Sequence, residues 1–211
     1  MTGAWVVERT AGDAAAFHGR DLPPRRGVWW FEPTAPALVL GSTQSPDVVA
    51  AGADVAVVRR HSGGGAVLLV PGEVVWVDVV VPRGDPWWDD DVGRAAHWLG
   101  SAWVEALAAC GRPGGEVHRG GLCTTPWSRL VCFAGLGPGE VSVDGRKVVG
   151  ISQRRTRELA RFQCAVHRRF DPAAMVRLLA PPRPEPEEID VVGTVDAAAA
   201  AVVEALVAVL R

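Results

Sequence analysis

Three adjacent glycines, Gly63 to Gly65, follow two arginines and a serine in the segment RRHSGGGAV. A run without side chains lets a ligand lie directly against the backbone, whose N–H groups can donate to phosphate or carboxylate oxygens. Arg59, Arg60 and Ser62 add positive charge and a hydroxyl group at its entrance. The segment is neither a P-loop nor a dinucleotide fingerprint, because the required spacing is absent. It is either a ligand-binding loop or a flexible hairpin tip.

Two further side chains have types suited to acyl or phosphoryl chemistry. Lys147 follows an Asp-Gly pair, and its ammonium can neutralise an acyl phosphate or polarise an acyl carbonyl. Cys132 precedes it, and a thiolate beside an ammonium can accept an acyl group. The alternatives are a solvent-facing hairpin lysine and a buried structural cysteine. For both Lys147 and Cys132, the residue type alone does not decide between a role in chemistry and the ordinary alternative.

The bulk composition excludes several classes of protein. The chain has 211 residues, 48% of them hydrophobic, and a formal net charge of −2, so we expect one domain without the basic character typical of nucleic-acid binding. The four cysteines match no zinc spacing and are too few for a disulfide scaffold, so we expect no structural metal. No signal-peptide pattern and no membrane-length apolar run is present. We therefore predict a cytoplasmic protein that acts neither on nucleic acid nor in a membrane.

Short apolar runs rich in β-branched residues dominate the first half and the middle of the chain. Residues 28–31, 37–40 and 74–81 read as strands, and EVSVDGRKVVGIS is typical of a hairpin with an Asp-Gly turn. Asp78 is the one charge in its strand, so we expect it to lie on an open face or to find a partner. A last strand is predicted over residues 166–170.

Helical periodicity is limited to three segments. Apolar residues recur at steps of three and four from Asp91 to Gly111, with Asp89 to Asp91 expected to cap the start. Shorter helices are predicted at DPAAMVRLL and near the C-terminus. Since the helices fall between hairpins and do not alternate strictly with strands, the pattern favours an α/β fold with a mostly antiparallel, mixed sheet flanked by helices.

Three segments, in order, resemble the catalytic domain of lipoate–protein ligases and their octanoyltransferase relatives. They are PALVLGSTQSP, RRHSGGGAV and DGRKVVGISQRR, and the resemblance extends over residues 28–170. It implies the fold shared with biotin ligases and class II aminoacyl-tRNA synthetases, as one domain over residues 1–211. Residues 171–211 would form a helical extension, too short for the accessory domain of two-domain ligases.

The resemblance also implies roles for individual residues. Lys147 would contact the acyl carbonyl and, in a ligase, the adenylate phosphate. Cys132 would be the acyl-accepting nucleophile of the thioester-forming branch, which has a similar Cys-Phe pair. An acyl and adenylate pocket would be lined by Arg60, Ser62, Gly63, Gly64, Gly65, Ala66 and Gly150.

Besides the missing room for an accessory domain, the sequence departs from the family pattern at two motif positions. Leu69-Val70 stands where many ligases have His-Asp, and Phe162-Gln163 stands where they often have His-Gly. Three functions therefore stay open. The first is ATP-dependent attachment of a lipoyl or octanoyl group to a carrier lysine through an acyl-adenylate. The others are a Cys-dependent acyltransferase and a non-catalytic lipoate-binding relative.

Cofactors and partners follow from the first of these readings. A ligase would use ATP, Mg²⁺ and lipoate or octanoate. Its partner would be a lipoyl carrier domain, either that of a 2-oxo acid dehydrogenase or the glycine-cleavage H protein. A separate accessory subunit is a further expected partner, because some ligases supply that domain as a second chain.

Overall fold

The computed structural model describes residues 4–211. Its strands are β1 (Val6–Gly12), β2 (Gly27–Pro33), β3 (Ala37–Leu40), β4 (Ala56–Arg59), β5 (Val67–Leu69), β6 (Val74–Pro82), β7 (Gly115–Val117), β8 (Val141–Val143), β9 (Arg146–Arg155) and β10 (Leu159–His167). Its α-helices are α1 (Ala14–Gly19), α2 (His97–Ala109), α3 (Pro172–Arg177) and α4 (Ala199–Leu210).

The strands form two sheets. The larger has the order β1-β2-β6-β10-β9-β8-β7, and the smaller has the order β4-β3-β5. Only β1 with β2 and β3 with β4 pair in parallel; the other neighbouring strands in these sheets are antiparallel. The prediction of a mostly antiparallel, mixed sheet is confirmed.

Strand β6 is buried on both faces of the large sheet, which explains its unbroken apolar sequence. Side chains alternate between the two faces of a strand. Val77 belongs to the core formed with helices α2 and α4, where it joins Trp103 and Leu206. Trp76 belongs to the opposite core, which includes Val39 of the small sheet. The large sheet therefore lies between a helical layer and the small sheet.

The Asp-Gly hairpin forms as predicted. Asp144 and Gly145 have φ values of 52° and 72°, the left-handed conformations that a tight turn of this type requires. Strands β8 and β9 pair on either side of it. The turn therefore fixes Lys147 as the second residue of β9.

Two predicted boundaries are wrong. Helix α2 begins at His97, because Asp89 and Asp91 accept bonds from the backbone N–H groups of Asp91 and Gly93 in the turns before it. Strand β10 begins at Leu159, well before the predicted start at Val166. Polar residues such as Arg161 interrupt the apolar pattern of this strand and conceal it. Strand β1 and helix α1 were not predicted.

Helix α4 packs against α2 in the main core, through buried side chains that include Leu206. Within residues 4–211, no helix combines the length and the apolar character needed to cross a membrane.

Candidate active site

The glycine loop connects β4 to β5, and Arg60 organises it from beneath. The Arg60 side chain is buried, and its guanidinium donates to the carbonyl oxygens of Gly63 at 2.7 Å and Gly65 at 2.8 Å. The sequence predicted charge at the loop entrance; Arg60 instead lies under the loop, and only Arg59 is exposed. Ser62 anchors the loop from the other side, because its hydroxyl donates to the Ser152 hydroxyl of β9 at 2.9 Å.

The three positions of the loop differ in why they hold glycine. A Cβ atom on Gly65 would lie 2.6 Å from the backbone of Val131 and Cys132, so only glycine fits. Gly64 has a φ of 97°, a backbone conformation that residues with a side chain rarely adopt. A Cβ on Gly63 would meet nothing within 4 Å, since this residue faces open space. The loop is thus a fixed structure and not a flexible hairpin tip.

The backbone N–H groups of the loop are free to bind a ligand. In a trans peptide the N–H points opposite to the preceding carbonyl. Because Arg60 holds the Gly63 carbonyl inward, the N–H of Gly64 points away from Arg60. Among the described residues, the N–H groups of Gly63, Gly64 and Gly65 donate to no other backbone group. Free donors in a glycine-rich loop are suited to phosphate, carboxylate or acyl oxygens.

Lys147 is buried at the floor of the site. Its ammonium lies 2.6 Å from the Glu140 carboxylate and donates to the carbonyl oxygens of Cys132 at 3.2 Å and Gly135 at 3.1 Å. The Glu140 carboxylate also accepts from the backbone N–H groups of Gly137 and Ile151. Lys147 is the only lysine in the sequence. The alternative of a solvent-facing lysine is wrong.

The Glu140 partner was missed by sequence analysis. A single carboxylate in the segment GPGEV resembles an ordinary loop residue, since neither its burial nor its pairing with Lys147 is visible in the pattern.

Cys132 lies in a short 3-10 helix between the glycine loop and Lys147. Its thiol is half-buried and lies 3.9 Å from the Arg60 guanidinium. The contact between Lys147 and Cys132 runs through the carbonyl oxygen of Cys132. The structure therefore places a different cation, Arg60, in contact with the sulfur.

An apolar cavity and a polar cleft meet at these residues. The cavity has a volume of about 60 Å³, and its apolar walls include Val39, Val67 and Leu69. The cleft is larger, about 710 Å³, and is lined by the glycine loop. Four residues line both spaces and so define their junction: Cys132, Glu140, Ile151 and Ser152.

Most of the predicted site residues come together here. Ser62, Gly63, Gly64, Gly65, Cys132 and Lys147 line the cleft. Arg60 and Gly150 line the cavity, and a Cβ on Gly150 would press against the Phe133 ring at 3.1 Å. Ala66 is the exception: it is buried in a separate apolar cluster and lines neither space.

One residue from each of the two segments that depart from the family pattern lines the cavity. Leu69 of β5 and Gln163 of β10 both line the cavity. Near Gln163 the wall contains His18, a residue of helix α1 that sequence analysis did not single out. Burial, with a smaller contribution from Arg161, lowers the pKa of His18 to about 3, so its ring is neutral.

Within residues 4–211, no three His, Cys, Asp or Glu side chains are grouped so that they could hold a metal ion. Asp78 finds a partner, as expected: it pairs with Arg161 in the interior. Burial raises the pKa of the Asp78 carboxyl, and the Arg161 guanidinium opposes that effect.

Comparison with solved structures identifies the same fold in lipoate-protein ligases. Lipoate-protein ligase A bound with ATP superposes with a TM-score of 0.71 at 16% identity, covering 100% of this chain and 84% of that one. A T. acidophilum protein with bound lipoic acid has a TM-score of 0.71 at 16% identity, with coverage of 100% and 84%. The bi-partite lipoate protein ligase of Thermoplasma acidophilum, studied with its E2 lipoyl domain, has a TM-score of 0.69 at 16% identity, with coverage of 100% and 82%.

These similarities confirm the fold class expected from the sequence. A search of curated protein sequences finds no match to this chain. The sequence profile described as Lipoyl protein ligase A/B catalytic domain matches residues 8–209, nearly the whole chain. The protein therefore belongs to the lipoyl protein ligase A/B catalytic domain family.

Proposed function

We propose that this protein attaches a lipoyl or octanoyl group to a specific lysine of a lipoyl carrier domain. The observation that carries the proposal is the junction of the apolar cavity with the polar cleft at Cys132, Glu140, Ile151 and Ser152. The apolar walls of the cavity would suit a fatty acyl chain, whose reactive carbonyl would then lie at the junction, between the glycine loop and Lys147.

The first route proceeds through an acyl-adenylate. A carboxylate oxygen of lipoate or octanoate attacks the α-phosphorus of ATP, and pyrophosphate leaves. The carrier lysine then attacks the acyl carbonyl, forms the amide and releases AMP. The free N–H groups of Gly63, Gly64 and Gly65 would bind the adenylate oxygens, and Lys147 would stabilise the developing negative charge. Mg²⁺ would be held chiefly by the phosphate oxygens, as is usual for this ion.

The second route uses Cys132 as a nucleophile, and the position of its sulfur at the junction favours it as the alternative. The sulfur would attack the carbonyl of an acyl thioester donor, forming a new C–S bond as the donor thiol leaves with the proton. The carrier lysine would then attack the enzyme thioester, form the amide and return the thiol. This route needs no ATP.

The proposed partner is a lipoyl carrier domain. The similar Thermoplasma protein was studied with its E2 lipoyl domain, and that ligase is bi-partite. By analogy, a second chain would supply any accessory function to this protein. A lipoyl domain of a 2-oxo acid dehydrogenase and the glycine-cleavage H protein are the acceptors to test, with and without such a chain.

Intact mass spectrometry of an apo lipoyl domain tests both routes. The domain is incubated with the protein and octanoate or lipoate, with and without ATP, and separately with octanoyl-carrier protein. A mass shift that needs ATP and persists in Cys132→Ala supports the adenylate route. A shift only from the thioester donor, abolished in Cys132→Ala, supports the Cys132 route. No shift under any condition, with both carriers tested, contradicts the proposed function.

A further inference from the structure

One polar atom in the wall of the apolar cavity lacks a partner. His18 is 6% exposed and its ring lies over Trp76, with a centroid separation of 4.4 Å. Among the described residues, its Nε2 atom makes no hydrogen bond, although it is fully buried. An unsatisfied buried polar atom is costly, so its presence in a ligand cavity requires an explanation.

Neighbouring residues determine what this atom can do. The Gln163 amide nitrogen lies 3.4 Å from an Asp78 carboxylate oxygen and 3.3 Å from His18 Nδ1. Asp78 also pairs with the Arg161 guanidinium. A carboxylate only accepts hydrogen bonds, so the Gln163 amide presents its NH₂ group to both neighbours. His18 Nδ1 is then an acceptor, and Nε2 of the neutral ring carries the hydrogen as a free donor.

The donor lies deep in the cavity relative to the junction. Gln163 of β10 pairs with Ser152 of β9, which lines the junction, and with Asp78 of β6. The His18 ring contacts Trp76, also on β6. The His18 ring therefore lies over a strand two positions across the sheet from the strand that carries Ser152, at about 4.8 Å per strand. An acyl group whose carbonyl lies at the junction would have its far end beside His18.

We propose that His18 makes the cavity selective for an acyl group with a hydrogen-bond acceptor at its far end, the disulfide ring of a lipoyl group, over the plain alkyl end of an octanoyl group. The inference rests on the proposed function, because it assigns the acyl group that the cavity holds. An alkyl end leaves the Nε2–H unsatisfied. A ring sulfur can accept from it, although sulfur is a weak acceptor. Gln163 is a positioning residue, since it fixes the His18 tautomer.

Calorimetric titration of lipoate and of octanoate into the full chain tests the inference. The two acids have the same carboxylate and differ at the far end, so the ratio of their Kd values isolates that end. In His18→Phe we expect the preference for lipoate to fall by about twofold to fourfold relative to wild type, the lower end of the range for one hydrogen bond, because sulfur is a weak acceptor. Gln163→Leu should shift the ratio of the Kd values in the same direction by a smaller factor, because the His18 ring is then no longer held in the tautomer with its hydrogen on Nε2.

His97→Phe is the matched control. His97 Nε2 is also buried without a partner among the described residues, but it lies on helix α2 and does not line the cavity. This variant should leave both Kd values unchanged. Equal changes for the two acids in His18→Phe and Gln163→Leu, or no change in the ratio, would overturn the role of His18 while leaving the proposed function intact. Failure of both acids to bind wild-type protein would overturn the inference together with the adenylate route, which needs a free acid, and would leave the Cys132 route with its thioester donor.

Discussion

Lys147 and Glu140 form a buried ion pair, with the ammonium nitrogen 2.6 Å from a carboxylate oxygen. The two carbonyl oxygens of Cys132 and Gly135 accept the other hydrogen bonds of the ammonium. Three donors and three acceptors are thus matched, and the positive charge is fixed at the floor of the cleft. A substrate oxygen that binds Lys147 must therefore share or replace one of these partners.

The ion pair predicts a specific pattern of stability. Glu140→Gln and Lys147→Met each leave one buried charge uncompensated, so each should lower the free energy of unfolding by roughly 3–5 kcal/mol. The double variant should recover most of that loss, because no charge remains. Urea denaturation of the wild type, the two single variants and the double variant measures the coupling free energy between Lys147 and Glu140.

An exposed ion pair provides the reference for this comparison of single and double variants. Arg146 and Asp190 lie 3.2 Å apart, but both side chains are about half exposed. Removing Arg146 should cost less than about 1 kcal/mol. A Lys147–Glu140 coupling no larger than that of this pair would contradict the buried arrangement.

Lys147 should also control the rate of acyl transfer. If its charge stabilises the transition state, Lys147→Met should reduce the transfer rate to a lipoyl domain by about 100-fold to 1000-fold. Arg146→Met, the neighbouring exposed position, should retain the wild-type rate. The rate is followed by quantifying acylated carrier over time under conditions where each variant is folded. Equal rates for Lys147→Met and wild type would remove Lys147 from the mechanism.

Replacement by alanine should lower the stability of the protein at one glycine of the loop and leave it nearly unchanged at another. Gly65→Ala places a Cβ 2.6 Å from the backbone of Val131 and Cys132, so the loop or the 3-10 helix must move. We expect a loss of roughly 1–3 kcal/mol in the free energy of unfolding. Gly63→Ala meets nothing within 4 Å and should change stability by less than about 0.5 kcal/mol. Thermal unfolding of both variants is the measurement, and equal losses would argue against this loop geometry.

Stability should decline in mild acid because of buried histidines. Burial lowers the pKa of His167 to about 4, whereas an unfolded histidine has a pKa of about 6.5. Between these values the unfolded chain binds a proton that the folded chain does not. Folding is therefore favoured fully above about pH 6.5 and loses stability as the pH falls.

For His167 this loss amounts to about 2 kcal/mol at pH 5. His167→Leu should therefore reduce, by about that amount, the difference in unfolding free energy between pH 7 and pH 5. Denaturant titrations at pH 7 and pH 5 compare the wild type with His167→Leu, and an unaltered difference in the variant would rule out a buried neutral ring.

The sheet was predictable from sequence because its strands have local signals. The Asp144-Gly145 turn and the β-branched run of β6 each specify their structure within a few residues. Strand β10 was mostly missed, because Arg161 and Gln163 look like surface residues. Arg161 is buried against Asp78 and the half-buried Gln163 contacts His18, and both partners lie far away in the sequence.

The site shows the same division. The glycines and Lys147 stand out by their residue types and their order along the chain. The pairing of Glu140 with Lys147, the position of Arg60 under the loop and the His18 donor depend on contacts between separate elements. A sequence pattern has no access to such contacts, and the burial of Ala66 in another cluster illustrates the same limit.

The most direct test of the account is to map where the acyl group goes. An apo lipoyl domain is incubated with this protein, lipoate and ATP, or with an octanoyl thioester donor, and both proteins are digested and sequenced by mass spectrometry. The account predicts acylation of one carrier lysine and no stable modification of Lys147, the only lysine of this chain. An unmodified carrier with every donor, or acylation scattered over many carrier lysines, would contradict it.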